Sequence, residues 1–395
     1  MKLATDITIL GASVAGAATA LHLADLGIPS IIFDKSSEPK NKACGEGLSP
    51  IGVRELQRLG LAPGGTELPA YSLDAYRIHS PKGSWRQRVA EIPFRDTAGA
   101  VSGVGIERQD LQNALWSRLR EHSLVTLLPG SPIKSVRSEG ECYVTSSEAA
   151  QVRSRFIVLA DGAHSKNSDR LGIPRKRIAG RARYGFSTHV SCSDTGFSHA
   201  VEVLLDRQFQ AFLTPVGCRR ANISVLGPRQ TIGSLAHQGQ RSAFLEQVGE
   251  RFGVRLAHCA DEEIFVTGPI GRFRRDPING RALVVGDALE QLDPVGGMGM
   301  TFALASAAHA AQSLSRAGDE VESLACYRHD VERLARLLRG FTNLSYLSLA
   351  RRPELPFHVP RRLASAVASS AHRAFSPGVP VGFSQLFLWC LGAFE

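Results

Sequence analysis

The stretch from Ile7 to Asp34 constrains the chain most, because a short strand, a glycine turn, a helix and a second strand follow one another without a gap. Ile7 to Leu10 is apolar and rich in branched residues, as a buried strand requires. Gly11-Ala12-Ser13-Val14-Ala15-Gly16 makes the turn, and Ala17 to Leu26 has helical periodicity closed by Gly27 and Pro29. Ser30 to Phe33 is the second strand and runs into Asp34 and Lys35. In such a unit Gly11 permits the tight turn, Gly16 brings helix and strand together, and the helix N-terminus faces a pyrophosphate. Asp34 is placed to accept hydrogen bonds from an adenosine ribose. Ser13 departs from the pattern, since it stands where a middle glycine usually lets phosphate approach the backbone. A hydrolase nucleophile at Ser13 is disfavoured, because the spacing is GxSxxG and no triad pattern supports it.

Two later turns share this logic. Ala160-Asp161-Gly162-Ala163-His164-Ser165, then Arg170, leaves the buried strand Phe156 to Leu159. Gly286-Asp287-Ala288, then Asp293-Pro294-Val295-Gly296-Gly297-Met298-Gly299-Met300, leaves a second buried run at Arg281 to Val285. Glu107 to Arg120 reads as a helix with Leu111, Leu115 and Leu119 on one face, and Thr301 to Leu314 as a helix of small residues. From Arg183 to Leu226 the pattern turns strand-like, with Gln210 to Thr214 and Ala221 to Leu226 as segments of an inserted antiparallel sheet.

The DG and GD turns, in this order behind the first fingerprint, resemble those of the FAD-dependent aromatic hydroxylase and geranylgeranyl reductase superfamily (flavoprotein monooxygenases). The matched segments spread from Ile7 to about residue 310. The resemblance implies an α/β fold with a Rossmann-like FAD-binding domain from residues 1–75, 106–180 and 271–320. An antiparallel-sheet substrate domain would come from residues 76–105 and 181–270, and a helical C-terminal region from 321–395. It implies non-covalent FAD and NAD(P)H as reductant. Asp287 would hold ribityl hydroxyls. Pro294, Gly296 and the backbone N–H groups of Gly297, Met298, Gly299 and Met300 would face the flavin N1–O2 edge and stabilise a reduced, anionic flavin. Arg108 matches an arginine that the family places near the cofactor, and Asp161 with Gly162 forms the DG turn. A plain turn cap is the competing reading of each aspartate.

Within the superfamily the pointers diverge. Cys44-Gly45-Glu46-Gly47-Leu48-Ser49-Pro50 resembles the cysteine-containing loop of geranylgeranyl reductases, which reduce isolated carbon–carbon double bonds. Gly45 and Gly47 let the backbone pass close to a bulky ligand, Cys44 is a candidate acid, and Glu46 either orients it or solvates the loop. The thiol also fits a small buried hydrophobe. Halogenase relatives carry a GESL-type loop, but Gly47 falls where that serine would be and no WxWxIP motif is present. Gly296 to Met300 resembles the GGQGM run of hydroxylases, yet Leu289 and Glu290 follow Ala288 where hydroxylases usually carry histidine. Double-bond reduction on a hydrophobic small molecule (isoprenoid, polyketide or aromatic) is the leading expectation. The alternatives are a monooxygenase hydroxylating an aromatic or polyketide substrate, a flavin-binding scaffold without activity, and a non-flavin NAD enzyme, which the GD turn disfavours. Phe186, Phe209 and Phe212 are candidate substrate-wall residues.

Composition excludes other classes. With 395 residues, 43% hydrophobic and 21% charged, the chain is an ordinary globular enzyme in its proportions. The net charge of +9 is spread along the sequence with no nucleic-acid-binding pattern, so anionic ligands or membrane surfaces are the expected partners rather than nucleic acid. Seven cysteines, an odd number without CxxC spacing, argue against a disulfide framework or zinc site and for a reducing cytoplasm. Met1 to Leu23 reads as mature structure, since Asp6, His22 and Asp25 interrupt any leader-like run. Pro360 to Phe375 is basic with interspersed apolar residues and Phe383 to Phe394 is apolar, a pair suited either to peripheral membrane docking or to packing on the core.

Overall fold

Lys2–Leu10 lies at the centre of the first sheet, parallel both to Ser30–Phe33 and to Gln151–Leu159. In the computed structural model, which describes residues 1–79, 88–94, 102–178, 182–192, 196–206, 208–258, 261–271, 273–316 and 320–351, this sheet has eight strands. Ala282–Val284 extends it beside Gln151–Leu159 and Val125–Leu128 beside Ser30–Phe33, all parallel. Ile7↔Phe156 and Leu10↔Leu159 are in register, so two buried apolar runs reach the same edge and release their glycine turns side by side. The strand begins at Lys2 rather than Ile7, because its first half alternates exposed and half-buried residues against Gln151 to Ser154.

The helix Val14–Asp25 packs on this sheet and against the helix Gly299–Leu314, and both are rich in alanine. Small side chains let the backbones approach. At Gly16 an added Cβ would lie 1.8 Å from the Gly11 carbonyl oxygen, so helix and turn leave no room for any side chain. Arg108–Glu121 closes the same region: Trp116 Nε1 donates to the Ala12 carbonyl at 2.7 Å and Gln112 Nε2 at 2.8 Å.

A second eight-stranded sheet holds Arg183–Cys192, Ala200–Leu205, Gln210–Pro215 and Arg220–Gly227, joined by Ala75–His79, Arg88–Pro93, Leu256–Ala257 and Phe265–Ile270. It is antiparallel except where Ala200–Leu205 runs parallel to Ala75–His79, a pairing that joins segments far apart in the chain. Its own core is formed by Phe186, Leu213, Ile223, Val225, Leu245 and Phe252 among others. The long helix Glu320–Arg351 packs on Gly299–Leu314. The stretches Pro360 to Phe375 and Phe383 to Phe394 lie outside the described residues. No helix among the described residues is long and apolar enough to cross a membrane.

Candidate active site

The three turns meet at one cavity of about 1070 Å³ between the two sheets. Its size is just above the ~300–1,000 Å³ usual for a single small-molecule site, which gives room for a dinucleotide and a substrate together. Gly11, Ser13, Asp34, Lys35, Cys44, Gly45, Glu46, Arg108, Asp161, Gly162, Asp287, Pro294, Gly297, Gly299 and Met300 all line it. Gly16, Gly296 and Met298 do not. Gly16 is the packing glycine described above, Gly296 is buried in the 3₁₀ turn Pro294–Gly296, and Met298 caps the following helix while packing on the main core.

The turns are built by backbone contacts that only glycine allows. Gly11 has φ +101°, and a Cβ there would sit 2.7 Å from the Ala160 carbonyl oxygen. Asp34 braces the same turn, its Oδ2 accepting from Ala12 N at 2.7 Å and its Oδ1 from Ser36 N at 2.8 Å. Each carboxylate oxygen keeps further acceptor capacity. At the other end Gly297 (φ +62°) donates its N–H to the Pro294 carbonyl at 2.9 Å. The expected donor row is corrected accordingly: Gly297 is already spent on the 3₁₀ turn, and the helix leaves open the first-turn N–H groups of Gly299 and Met300.

Polar groups in the cavity await a ligand. Arg108 Nε, Asp161 Oδ1 and Gln291 Oε1 are buried without a partner, although all three residues line the cavity. Burial pushes the Asp161 carboxyl up, and bonds from Ser165 and Asn167 only partly offset this. Lys42 Nζ stands 3.9 Å from Asp287, and the Arg108 guanidinium, more than burial, pushes the Lys42 ammonium down. A cation-rich, glycine-lined channel with orphaned donors and acceptors fits a pyrophosphate-bridged flavin dinucleotide.

The Cys44 loop crosses the junction with the second sheet. Cys44 N donates to Ser187 Oγ at 3.4 Å, its carbonyl accepts from Ser224 Oγ at 3.0 Å, and its thiol lies 3.9 Å from Met300 Sδ. Of the two roles expected of Glu46, loop solvation does not fit its burial, and its contact with the thiol is made by the backbone N–H, which donates to Cys44 Sγ at 3.4 Å, rather than by the carboxylate. The residue is 2% exposed, with Oε1 accepting from Arg108 N at 2.9 Å and Oε2 at 2.7 Å from His189 Nε2. Its backbone takes φ +56°, the left-handed value found for no other non-glycine residue among those described, at a cost of roughly 1–3 kcal/mol. Neither Gly45 nor Gly47 takes a left-handed φ.

Behind Glu46, His189 Nδ1 is 3.3 Å from Glu262, and Arg220 pairs with both Glu107 and Glu262. Burial lowers the His189 pKa, but the bond and charge of Glu46, with Glu107, more than offset it, so the imidazole is raised overall. Phe186 and Phe212 line the cavity with Tyr76, Val201 and Leu226, whereas Phe209 packs edge-on against Phe244 at 5.0 Å and does not. His189, Tyr76 and Gln112 escape a reading of the sequence. They sit on strands or a helix with no motif around them, and only tertiary pairing brings them to the site.

The fold and cavity define a flavin-type dinucleotide-binding oxidoreductase with a sheet-walled substrate chamber. The chain belongs to the FAD binding domain family, whose model matches residues 4–338. It is 25% identical to a menaquinone reductase of Mycolicibacterium smegmatis (92% of this chain, 87% of the relative) and 25% identical to a protoasukamycin 4-monooxygenase of Streptomyces nodosus subsp. asukaensis (80% of each). Among solved structures, a probable FAD-dependent monooxygenase from Pseudomonas aeruginosa, pqsL, superposes with a TM-score of 0.73 at 17% identity, covering 92% of this chain and 99% of that one. The chain is an FAD-dependent oxidoreductase, with NAD(P)H as the reductant typical of its class. That removes the scaffold and non-flavin readings.

Proposed function

We propose that this oxidoreductase reduces an isolated carbon–carbon double bond in a hydrophobic, isoprenoid-type molecule, with Cys44 as the proton donor. The observation that carries the reading is the position of the Cys44 thiol, at the seam between the half of the cavity lined by the glycine turns and its sheet wall. FAD, when bound and reduced by NAD(P)H, would supply a hydride to one carbon of the double bond. The chain's own residues do the rest. Phe186, Phe212, Val201 and Leu226 give the double bond an apolar wall that excludes water. Ser187 and Ser224 hold the Cys44 main chain and the Glu46 N–H donates to its Sγ, which leaves the thiol in place to give its proton to the other carbon. A relative that is a menaquinone reductase supports the reading.

Oxygen insertion is the second reading, favoured by the Gly296 to Met300 run and by the monooxygenase relative. Cys44→Ala separates them. With reduction, the variant keeps FAD and consumes NAD(P)H in forming reduced flavin at the wild-type rate, yet product formation falls ~10²- to 10⁴-fold. Wild-type turnover by Cys44→Ala on a substrate that the wild type converts would reject the proton-donor role and leave hydroxylation.

A further inference from the structure

We infer that His189 is a positioning residue for Cys44, acting through Glu46: its hydrogen bond to the buried Glu46 carboxylate pins that residue in the loop and so keeps the Glu46 N–H on the Cys44 sulphur. The inference builds on the reading of Cys44 as proton donor.

The chain of contacts is short. Glu46 N–H donates to Cys44 Sγ at 3.4 Å. Glu46 also holds φ +56°, a conformation that a side-chain-bearing residue keeps only when its surroundings impose it, so the residue that carries this N–H is held in place. Two contacts hold it here. Arg108 N, at the start of the helix Arg108–Glu121, grips Oε1, and His189 Nε2, on the strand Arg183–Cys192, grips Oε2. The main-chain grip is also reciprocated, since Ile106 N donates to the Glu46 carbonyl at 2.9 Å. Of these anchors, only the one from His189 belongs to a side chain.

His189 is itself locked. It is 6% exposed, and Glu262 stands at its Nδ1 while Glu107 lies 3.9 Å from Nε2. Arg220 bridges those two carboxylates from the neighbouring strand, and Asp110 approaches from the helix. Three carboxylates around one imidazole favour a donor at both ring nitrogens, and Arg220 limits how much negative charge they present. In a reductase this arrangement would steady the thiol with one N–H while it loses a proton, without placing any carboxylate on the sulphur.

The test uses the FAD-loaded protein and reads the rate at which iodoacetamide modifies Cys44, followed by mass spectrometry of the peptide that contains it. His189→Leu should slow modification by about 3- to 10-fold, the worth of one hydrogen bond. His189→Gln, which can still donate to Glu46, should stay within about twofold of wild type. In turnover, His189→Leu should lower kcat and leave KM nearly unchanged. Unchanged or faster modification in His189→Leu overturns the inference, as do equal losses in the Leu and Gln variants. Should His189→Leu fail to fold or to hold FAD, Glu46→Gln decides in its place: slower modification supports the anchor and an unchanged rate overturns it. If Cys44→Ala keeps full turnover while His189→Leu still slows modification, the proton-donor reading fails and the positioning contact stands.

Discussion

Ser13 Oγ accepts a hydrogen bond from Arg108 Nη2 at 2.9 Å, so the residue that breaks the glycine fingerprint is the one that steadies a cation in the cavity. Gln112 Oε1 lies 3.4 Å from the same hydroxyl. A glycine at this position would clear space for phosphate and release the guanidinium. A charge-assisted bond is worth about 1.5–3 kcal/mol, whereas clearance the ligand does not need gains nothing. Ser13→Gly should therefore weaken FAD binding by about tenfold, measured by titrating apoprotein with FAD and following flavin fluorescence. Equal or tighter binding would mean that Ser13 is a filler of the turn.

Arg275 ties the second and third turns together. Its guanidinium is 4% exposed and donates to the carbonyls of Ile173 at 3.1 Å, Ser165 at 3.0 Å and Ala288 at 3.1 Å, with Asp169 at 3.3 Å. Arg275→Met fills much of the volume and leaves those carbonyls without donors. The expected loss is about 3 kcal/mol or more, at about 1–3 kcal/mol for each of the three buried carbonyls left without a donor. Denaturant unfolding with FAD in excess should show it, together with faster FAD release, since Asp161 and Asp287 flank the tie. A loss no larger than ~0.5 kcal/mol, typical of surface changes, would show that the network is incidental.

What the sequence made legible was local. The three glycine turns announce themselves because each leaves a buried apolar run, and a parallel sheet sets such runs side by side. The helix after the GD turn was equally plain from its small residues, although it starts at Gly299 rather than Thr301 because the 3₁₀ turn ahead of it ends at Gly296. Pairing across long separations was not legible. Glu46 and His189 lie 143 residues apart, and nothing around His189 distinguishes it from any strand residue. Nor does the sequence mark Glu46, flanked by Gly45 and Gly47, as the residue that takes the left-handed backbone. Phe209 and Phe212, three apart on one hairpin, look alike in sequence, but only Phe212 turns to the cavity.

His22 gives the fold an acid-sensitive point. Burial, and then the Arg58 guanidinium, lower its pKa from 6.5 to about 4, and its Nε2 has no partner. The folded form thus keeps the imidazole neutral while the unfolded chain takes up a proton below about pH 6.5. Its contribution is fully present above that pH and is lost as pH falls from about 6.5 toward 4. Between pH 7.5 and 5 the loss is about 2 kcal/mol. His22→Gln should flatten that part of the stability curve, leaving other groups to set what remains. Urea unfolding of both proteins at the two pH values checks this, and parallel losses would mean that His22 is protonated in both states.

Gly297 and Tyr76 make the sharpest steric test of the cavity's far wall. Gly297 has φ +62°, and a Cβ there would lie 3.1 Å from the Tyr76 hydroxyl oxygen. Tyr76 has limited room to yield, since its ring packs edge-on against Phe94 at 4.6 Å. Gly297→Ala therefore carries two separable costs. The left-handed backbone costs roughly 1–2 kcal/mol with any side chain, and the contact with the hydroxyl adds a part that depends on Tyr76 alone. Tyr76→Phe removes the oxygen and should by itself change stability little. Combined with Gly297→Ala, it should recover the contact part and leave the backbone part, so the four proteins of the cycle should show a positive coupling of at least ~0.5 kcal/mol. Thermal unfolding and FAD titration of all four give the two readings. Strict additivity would place the Tyr76 hydroxyl away from the 293–300 loop and remove it from the cavity wall.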